Sequence, residues 1–324
     1  MRETFYKKVL SKSPSVPVKR QGGKILSGIY RKQCDRLIDM LKNTFCHIPG
    51  IGARYESYLW SKGLRSWDDI LHAAAPALKG RTGALRPLIE QSGRQLADGN
   101  AAYFTERLPH GMHWRLFPEF SGDTAYLDIE TNGVMGPSGY ITTIALYDGK
   151  SVYYYVNGQN LDDFKEDIKK YKVIVTYNGK CFDVPFIESH FNIKLTQAHI
   201  DLRFLLNGMG ITGGLKGCEK MLGIDRSELD GLDGFFAVLL WRDFQKRKDE
   251  KTLETLLAYN IEDAINLEPL LVYTYNLKLR STPFQERKLP TPPRPALGLR
   301  ADMDTIRRVI NENRWYFAKS RYAR

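Results

Sequence analysis

The 324-residue chain lacks any apolar run of the roughly 18 to 20 residues that a bilayer span requires, so no membrane segment is expected. Its opening stretch, MRETFYKKVLSKSPSVPVKRQGGK, has no long apolar core, which argues against a secretory leader and for a cytoplasmic protein. Cysteine is sparse: Cys34, Cys46, Cys181 and Cys218 are scattered, with no CxxC pair. That pattern fits free thiols better than a metal knot or a disulfide framework. No tandem repeat is visible, and no His/Cys cluster has the spacing of a zinc site.

Acids are scarce at the chain ends. Residues 1–33 carry nine Lys and Arg against Glu3 alone, the segment after 278 is basic, and the net charge is +11. A basic chain with basic ends suits a polyanion such as nucleic acid, although a solubilising surface or a loose arm would look the same. The pattern divides the chain into four parts. Residues 1–33 form a basic, loosely structured arm with Ser-Pro and Gly-Gly. Residues 34–117 form a small helical module and connector, residues 118–278 the main body, and residues 279–324 a Pro-rich basic tail ending in an amphipathic helix with Asp302 near its start. Leu37, Ile38 and Leu41 recur at helical spacing within 31–45, and further helices are expected near 84–106.

In the main body, 124–131 reads as a strand. Residues 140–158 read as two β-rich runs joined by Asp148-Gly149, the signature of a tight hairpin. Residues 161–171 read as a helix, 173–178 as a buried parallel strand, and 184–191 as a helix with Pro185 in its first turn. A short strand near 199–202 and helices over 215–223, 233–247 and 251–276 complete the pattern. This order predicts an α/β protein: a ribonuclease-H-like mixed five-stranded sheet flanked by helices, with 124–131 and 173–178 adjacent and parallel, plus the small helical N-terminal module.

Three groups of acids stand out against this frame. Asp128 and Glu130 in LDIET share one strand face because strand side chains alternate. Side by side in a buried strand they repel each other, and a divalent cation would relieve the repulsion. Alone, a D-x-E pair suits any exposed strand face. Asp183, in TYNGKCFDVPFI, lies between a strand and a helix, where a helix N-cap is the simpler role. Tyr259 and Asp263, in AYNIEDAINL, are four apart and share a helix face, whereas Glu262 points elsewhere. Oxygen-rich ligands without His or Cys suit Mg²⁺ or Mn²⁺ rather than zinc.

Together, Asp128-x-Glu130, Asn178-x4-Asp183 and Tyr259-x3-Asp263 resemble the three motifs of the DEDDy branch of DEDD 3′–5′ exonucleases. The middle motif is similar to that of proofreading domains of family B DNA polymerases. The longer string LDIET…VTYNGKCFDVPFIESH…HIDLRFL…LKGCEKMLGI…LAYNIEDAINL is similar to the YprB-like group of predicted bacterial exonucleases within the ribonuclease-H-like superfamily. The resemblance covers about residues 120–275. It implies a two-metal phosphodiester hydrolase in which Asp128 bridges both ions, Glu130 and Asp263 complete the first, and Asp183 holds the second largely through water. Tyr259 would orient the attacking water, helped by Glu130. Asn178, and Asn132 just beyond the first motif, would touch the substrate strand, while His199 and Asp201 would serve structure or substrate contact.

Pro49-Gly50-Ile51-Gly52 lies between two helical patterns and resembles a helix-hairpin-helix. Such a turn brings backbone N–H groups to a phosphate without reading bases. Gly63-Leu64 followed by 67–71 fits a second, shorter hairpin of the same kind. The expected partner is therefore nucleic acid, DNA over RNA, with a role in DNA repair or processing. A structure-specific endonuclease using the same site, or a non-catalytic nucleic-acid-binding protein, are the competing functions.

Overall fold

The computed structural model describes residues 21–22, 40–72, 82–224, 226, 229 and 231–316. Most of the N-terminal arm, and the helix expected over 31–45 as far as residue 39, lie outside the described residues. Leu41–Asn43 form a single 3-10 turn.

A mixed sheet forms the centre, with strands β1 (Thr124–Thr131), β2 (Ile141–Tyr147), β3 (Ser151–Val156), β4 (Val173–Thr176) and β5 (Ala198–Asp201). Their spatial order is β3-β2-β1-β4-β5, with the two-residue strand Gln21–Gly22 added antiparallel outside β3. β2 runs antiparallel to β1, and β3 runs antiparallel to β2. β4 runs parallel to β1 through Thr124↔Val173, Ala125↔Ile174 and Tyr126↔Val175, as the sequence led one to expect, and β5 runs parallel to β4. The β2–β3 turn closes as Asp148-Gly149 predicts: Gly149 has φ +78°, and Asp148 Oδ1 accepts from the amides of Lys150 and Ser151 at 2.9 and 2.7 Å.

Helices cover both faces. α1 (Ala53–Ser61), α2 (Trp67–His72), α3 (Thr82–Ala97) and α4 (Ala101–Thr105) belong to the N-terminal part. α5 (Asp183–Phe191), α6 (Leu202–Asn207), α7 (Gly214–Met221), α8 (Gly234–Arg247), α9 (Glu250–Ile265) and α10 (Leu267–Leu279) follow the sheet, and α11 (Met303–Glu312) closes the described chain. The pattern over 251–276 reads as one helix, but the structure breaks it at Asn266. Pro269 has no N–H to give Ile265, and its ring would clash with that carbonyl, so a continuous helix is excluded there.

Alternation along β1 decides what faces what. Ala125, Leu127 and Ile129 enter a smaller apolar cluster with Ile144, Phe164 and Ile187. Tyr126 enters the main core on the opposite face, where α9 packs across β1 and β2. Asp128 and Glu130 have the same parity as Tyr126 and therefore look toward α9. The main core runs without interruption from Met40 in the helical module to Val309 in α11. A buried ion pair within the module ties α1 to the segment that leads into the sheet: Glu56 accepts from the Phe45 amide at 2.7 Å and pairs with Arg115 at 2.9 Å.

Candidate active site

Each acid is placed by an ordinary structural cause. β1 presents Asp128 and Glu130 on one face, and the pairing with β2 slips between Glu130 and Thr131, which bends the strand at the site. α9 lies over that face with its Leu256, Ile261 and Ala264 buried, and it presents Tyr259 and Asp263 one turn apart. As a result, one ligating oxygen each from Asp128, Glu130 and Asp263 lie within 4.8 Å of one another. Glu262 turns away, to Arg294 at 2.5 Å and Asn266 at 3.1 Å, as the spacing argument anticipates.

Asp183 is the first residue of α5 rather than its N-cap, a position held by Phe182. Its carboxylate reaches back across the sheet, and Oδ1 accepts from the Ile129 amide at 3.3 Å, which sets it beside the β1 acids. The loop carrying it is braced by Asp201, whose carboxylate accepts from the amides of Asn178 at 2.8 Å and Lys180 at 3.0 Å. Asp201 is thus a structural brace. Asn178 adopts φ +70°, a left-handed conformation that Asn tolerates. The next residue, Gly179, has no room for a side chain, since a Cβ would lie 2.2 Å from Thr176 Oγ1.

The acids, Tyr259, Asn178 and Phe182 line one cleft of about 510 Å³. Burial, and then repulsion from Asp263, raise Asp128 and Glu130 well above the usual carboxylate range. Burial pushes Asp183 up to about 7. Carboxylates so placed need positive charge, because an ion removed from water costs several kcal/mol unless compensated. The chain supplies part of it. Asn260 donates to Asp128 Oδ2 at 2.7 Å and is itself fixed by Thr143 Oγ1 at 3.0 Å. Arg226 forms a short ion pair with Asp263 and another at 2.6 Å with Glu219, which is fully buried. Lys216 Nζ donates to the Tyr259 hydroxyl and to Leu232 O. Four acids against these two cations leave negative charge in excess, and the all-oxygen donor set fits hard divalent cations.

Lys216 and Arg226 are the functional candidates that sequence reasoning missed. Both lie outside the three motifs, and the only signal was a cation in or just after the LKGCEKMLG stretch. Asn132 is occupied differently from Asn178: its amide donates to Ser138 O at 3.0 Å and accepts from Tyr140 N at 3.2 Å, closing the loop 132–140. Pro49, Gly50, Ile51 and Gly52 lie elsewhere, lining a second cavity of about 580 Å³ with His47 and Arg107. Gly52 occupies the N-cap of α1 without a side-chain cap, so the first helical amides are left open.

Sheet order and flanking helices define a ribonuclease-H-like fold. Residues 125–275 match the family model RNase_H_2, described as RNase_H superfamily. Among solved structures, the family B DNA polymerase from the hyperthermophilic archaeon Pyrobaculum calidifontis is similar at 18% identity and TM-score 0.38, over 52% of this chain and 27% of that one. The chain thus spans well under a third of that polymerase's length. No curated protein matches the chain. No helix among the described residues is long and apolar enough to cross a membrane.

Proposed function

We infer that the cleft is the active site of a metal-dependent 3′–5′ exonuclease acting on nucleic acid, DNA in preference to RNA. The observation that carries this reading is the meeting of oxygens from Asp128, Glu130 and Asp263 within 4.8 Å, on a strand and a helix far apart in sequence. The family match over 125–275 supports it, and the polarity comes from the motif resemblance. Asp128, Glu130, Asp263 and Asp183 would hold two divalent cations, Mg²⁺ or Mn²⁺. Bound there, such ions offset phosphate charge and acidify water.

The chain's own groups do the rest. Burial, with Asp263 next in weight, raises the Tyr259 hydroxyl above its usual range, so it stays protonated. With its oxygen accepting from Lys216, the hydroxyl is free to aim its proton into the cleft and orient the attacking water. Water bonds to phosphorus, the 3′-oxygen of the preceding nucleotide leaves and takes up a proton, and a nucleoside 5′-monophosphate is released. Asn178, fixed by Arg203 at 2.5 Å, borders the strand's path. The open amides after Gly52 offer a second, sequence-independent phosphate contact for duplex DNA.

The test is incubation with Mg²⁺ or Mn²⁺ and labelled single-stranded, duplex and circular DNA and RNA. Mononucleotides should leave the 3′ ends of linear DNA while circles stay intact, and Asp128→Ala and Asp263→Asn should abolish release in folded protein. Activity retained in Asp128→Ala would overturn the assignment, and cut circles would replace exonuclease by endonuclease.

A further inference from the structure

One wall of the cleft is Asp233-Gly234, where α8 begins. Asp233 Oδ1 caps that helix through the Phe236 amide at 3.2 Å. Its Oδ2 accepts from the hydroxyl of Tyr316, beyond α11, at 2.8 Å. Tyr316, the last described residue, is thereby brought to the rim of the cleft. The Phe235 and Tyr316 rings lie 4.3 Å apart and 32° from parallel. The Trp315 ring stands edge-on to Tyr316 at 6.0 Å and is 60% exposed. With the half-buried rings of Phe235 and Tyr316 beside it, this indole belongs to a contiguous aromatic surface rather than standing as a lone exposed side chain.

The acid beside these rings, Asp233, is taken up by the Phe236 amide and the Tyr316 hydroxyl, and farther along α8 and α11 Asp243 is engaged by Arg247 and Arg308, both at 2.8 Å, and Glu312 by Arg247 at 2.7 Å. Arg242 instead lies 5.8 Å over the Phe235 ring, and Arg314 donates to Asn311 Oδ1 at 3.0 Å. Neither is paired with an acid among the described residues. α11 is held firmly, with Ile306 and Val309 buried and Asp302 capping Thr305 N at 2.7 Å, so the platform is not a loose end.

We propose that Trp315, with Phe235, Tyr316, Arg242 and Arg314, forms a stacking platform for the unpaired nucleic-acid strand as it leads to the cleft. Bases stack on the rings, and the two guanidiniums meet the phosphates on either side. Stacking of this kind tolerates any base, as an enzyme that shortens strands of arbitrary sequence requires. A protein partner would be met by an exposed indole equally well, but the two guanidiniums without an acidic partner among the described residues and the continuity with the cleft favour the strand. The assignment of the occupant rests on the nuclease reading given above.

The test uses the full chain. In chelator, so that nothing is cut, affinity for a fluorescent 20-nucleotide oligothymidylate is measured by anisotropy for wild type, Trp315→Ala, Trp315→Phe and Arg242→Ala. Trp315→Ala should weaken binding about tenfold and Trp315→Phe much less, and Arg242→Ala should flatten the salt dependence. In Mn²⁺, hydrolysis of thymidine 5′-phosphate p-nitrophenyl ester, which reaches only the acids, should be unchanged in all three variants. Affinities within twofold of wild type in both Ala variants would overturn the platform and leave the surface to a protein partner. Wild-type protein that hydrolyses neither ester nor oligonucleotide would sink the nuclease reading instead, and the binding comparison would still decide the platform.

Discussion

Tyr259 is 1% exposed, yet its hydroxyl meets Lys216 at the edge of the acid cluster, so a packing tyrosine and a working hydroxyl are the same side chain. Tyr259→Phe keeps the packing and removes only the hydroxyl. Turnover should fall about tenfold or more while the Michaelis constant changes little, as measured by steady-state kinetics on a short oligonucleotide. An unchanged turnover number would mean that the hydroxyl has no part in orienting the water. Arg226 joins Asp263 to Glu219, all three of them buried. Arg226→Leu leaves two buried carboxylates without their cation and should cost about 3–5 kcal/mol in urea unfolding of the metal-free protein. Saturating Mg²⁺ should recover part of that loss, since Asp263 would then regain a positive neighbour.

Elements rather than residues set the histidine chemistry. Packing of the 3-10 turn His110–Leu116 against β5 buries His113, and burial first, then Lys180, lowers its pKa from 6.5 to about 4. The folded state therefore holds a neutral imidazole that the unfolded chain would protonate. Its contribution is present in full above pH 6.5 and is lost as pH falls toward 4, at up to about 1.4 kcal/mol per pH unit. The stability advantage of wild type over His113→Gln should accordingly shrink across that window in denaturant titrations. A gap that widens on acidification would contradict the burial argument. The strand-to-helix loop after β4 is another element-level device: Thr176, Gly179 and Asp201 fix its path, and Asp183 is placed by that path.

For the whole molecule, the helical module and the sheet share one core, so the turn at 49–52 is joined through packed side chains to the sheet face that carries the acids. If its open amides hold a duplex phosphate, Gly52→Glu should weaken duplex binding and reduce its salt dependence by about one phosphate contact. Mononucleotide-ester hydrolysis should stay unchanged. Duplex affinity equal to wild type at low salt would mean that the hairpin only packs the module.

The succession of strands and helices, the tight turn at Asp148-Gly149 and the shared face of Asp128 and Glu130 were determined by sequence alone, because each follows from a short-range period or a local turn preference, whereas the parallel pairing of β1 with β4 was expected only because the element order resembles a ribonuclease-H-like fold. The adjacency of Tyr259 and Asp263 was likewise fixed by helical spacing. Local rules failed where a distant group won. Pro269 broke a continuous apolar pattern at Asn266. Asp183, which looks like a helix cap, spends its carboxylate on the Ile129 amide. Lys216 and Arg226 were invisible as site residues because nothing in their spacing points at β1. They reach Tyr259 and Asp263 only because α7 and the turn after it pack against α9, and no periodicity encodes a contact between elements that meet only when the core closes.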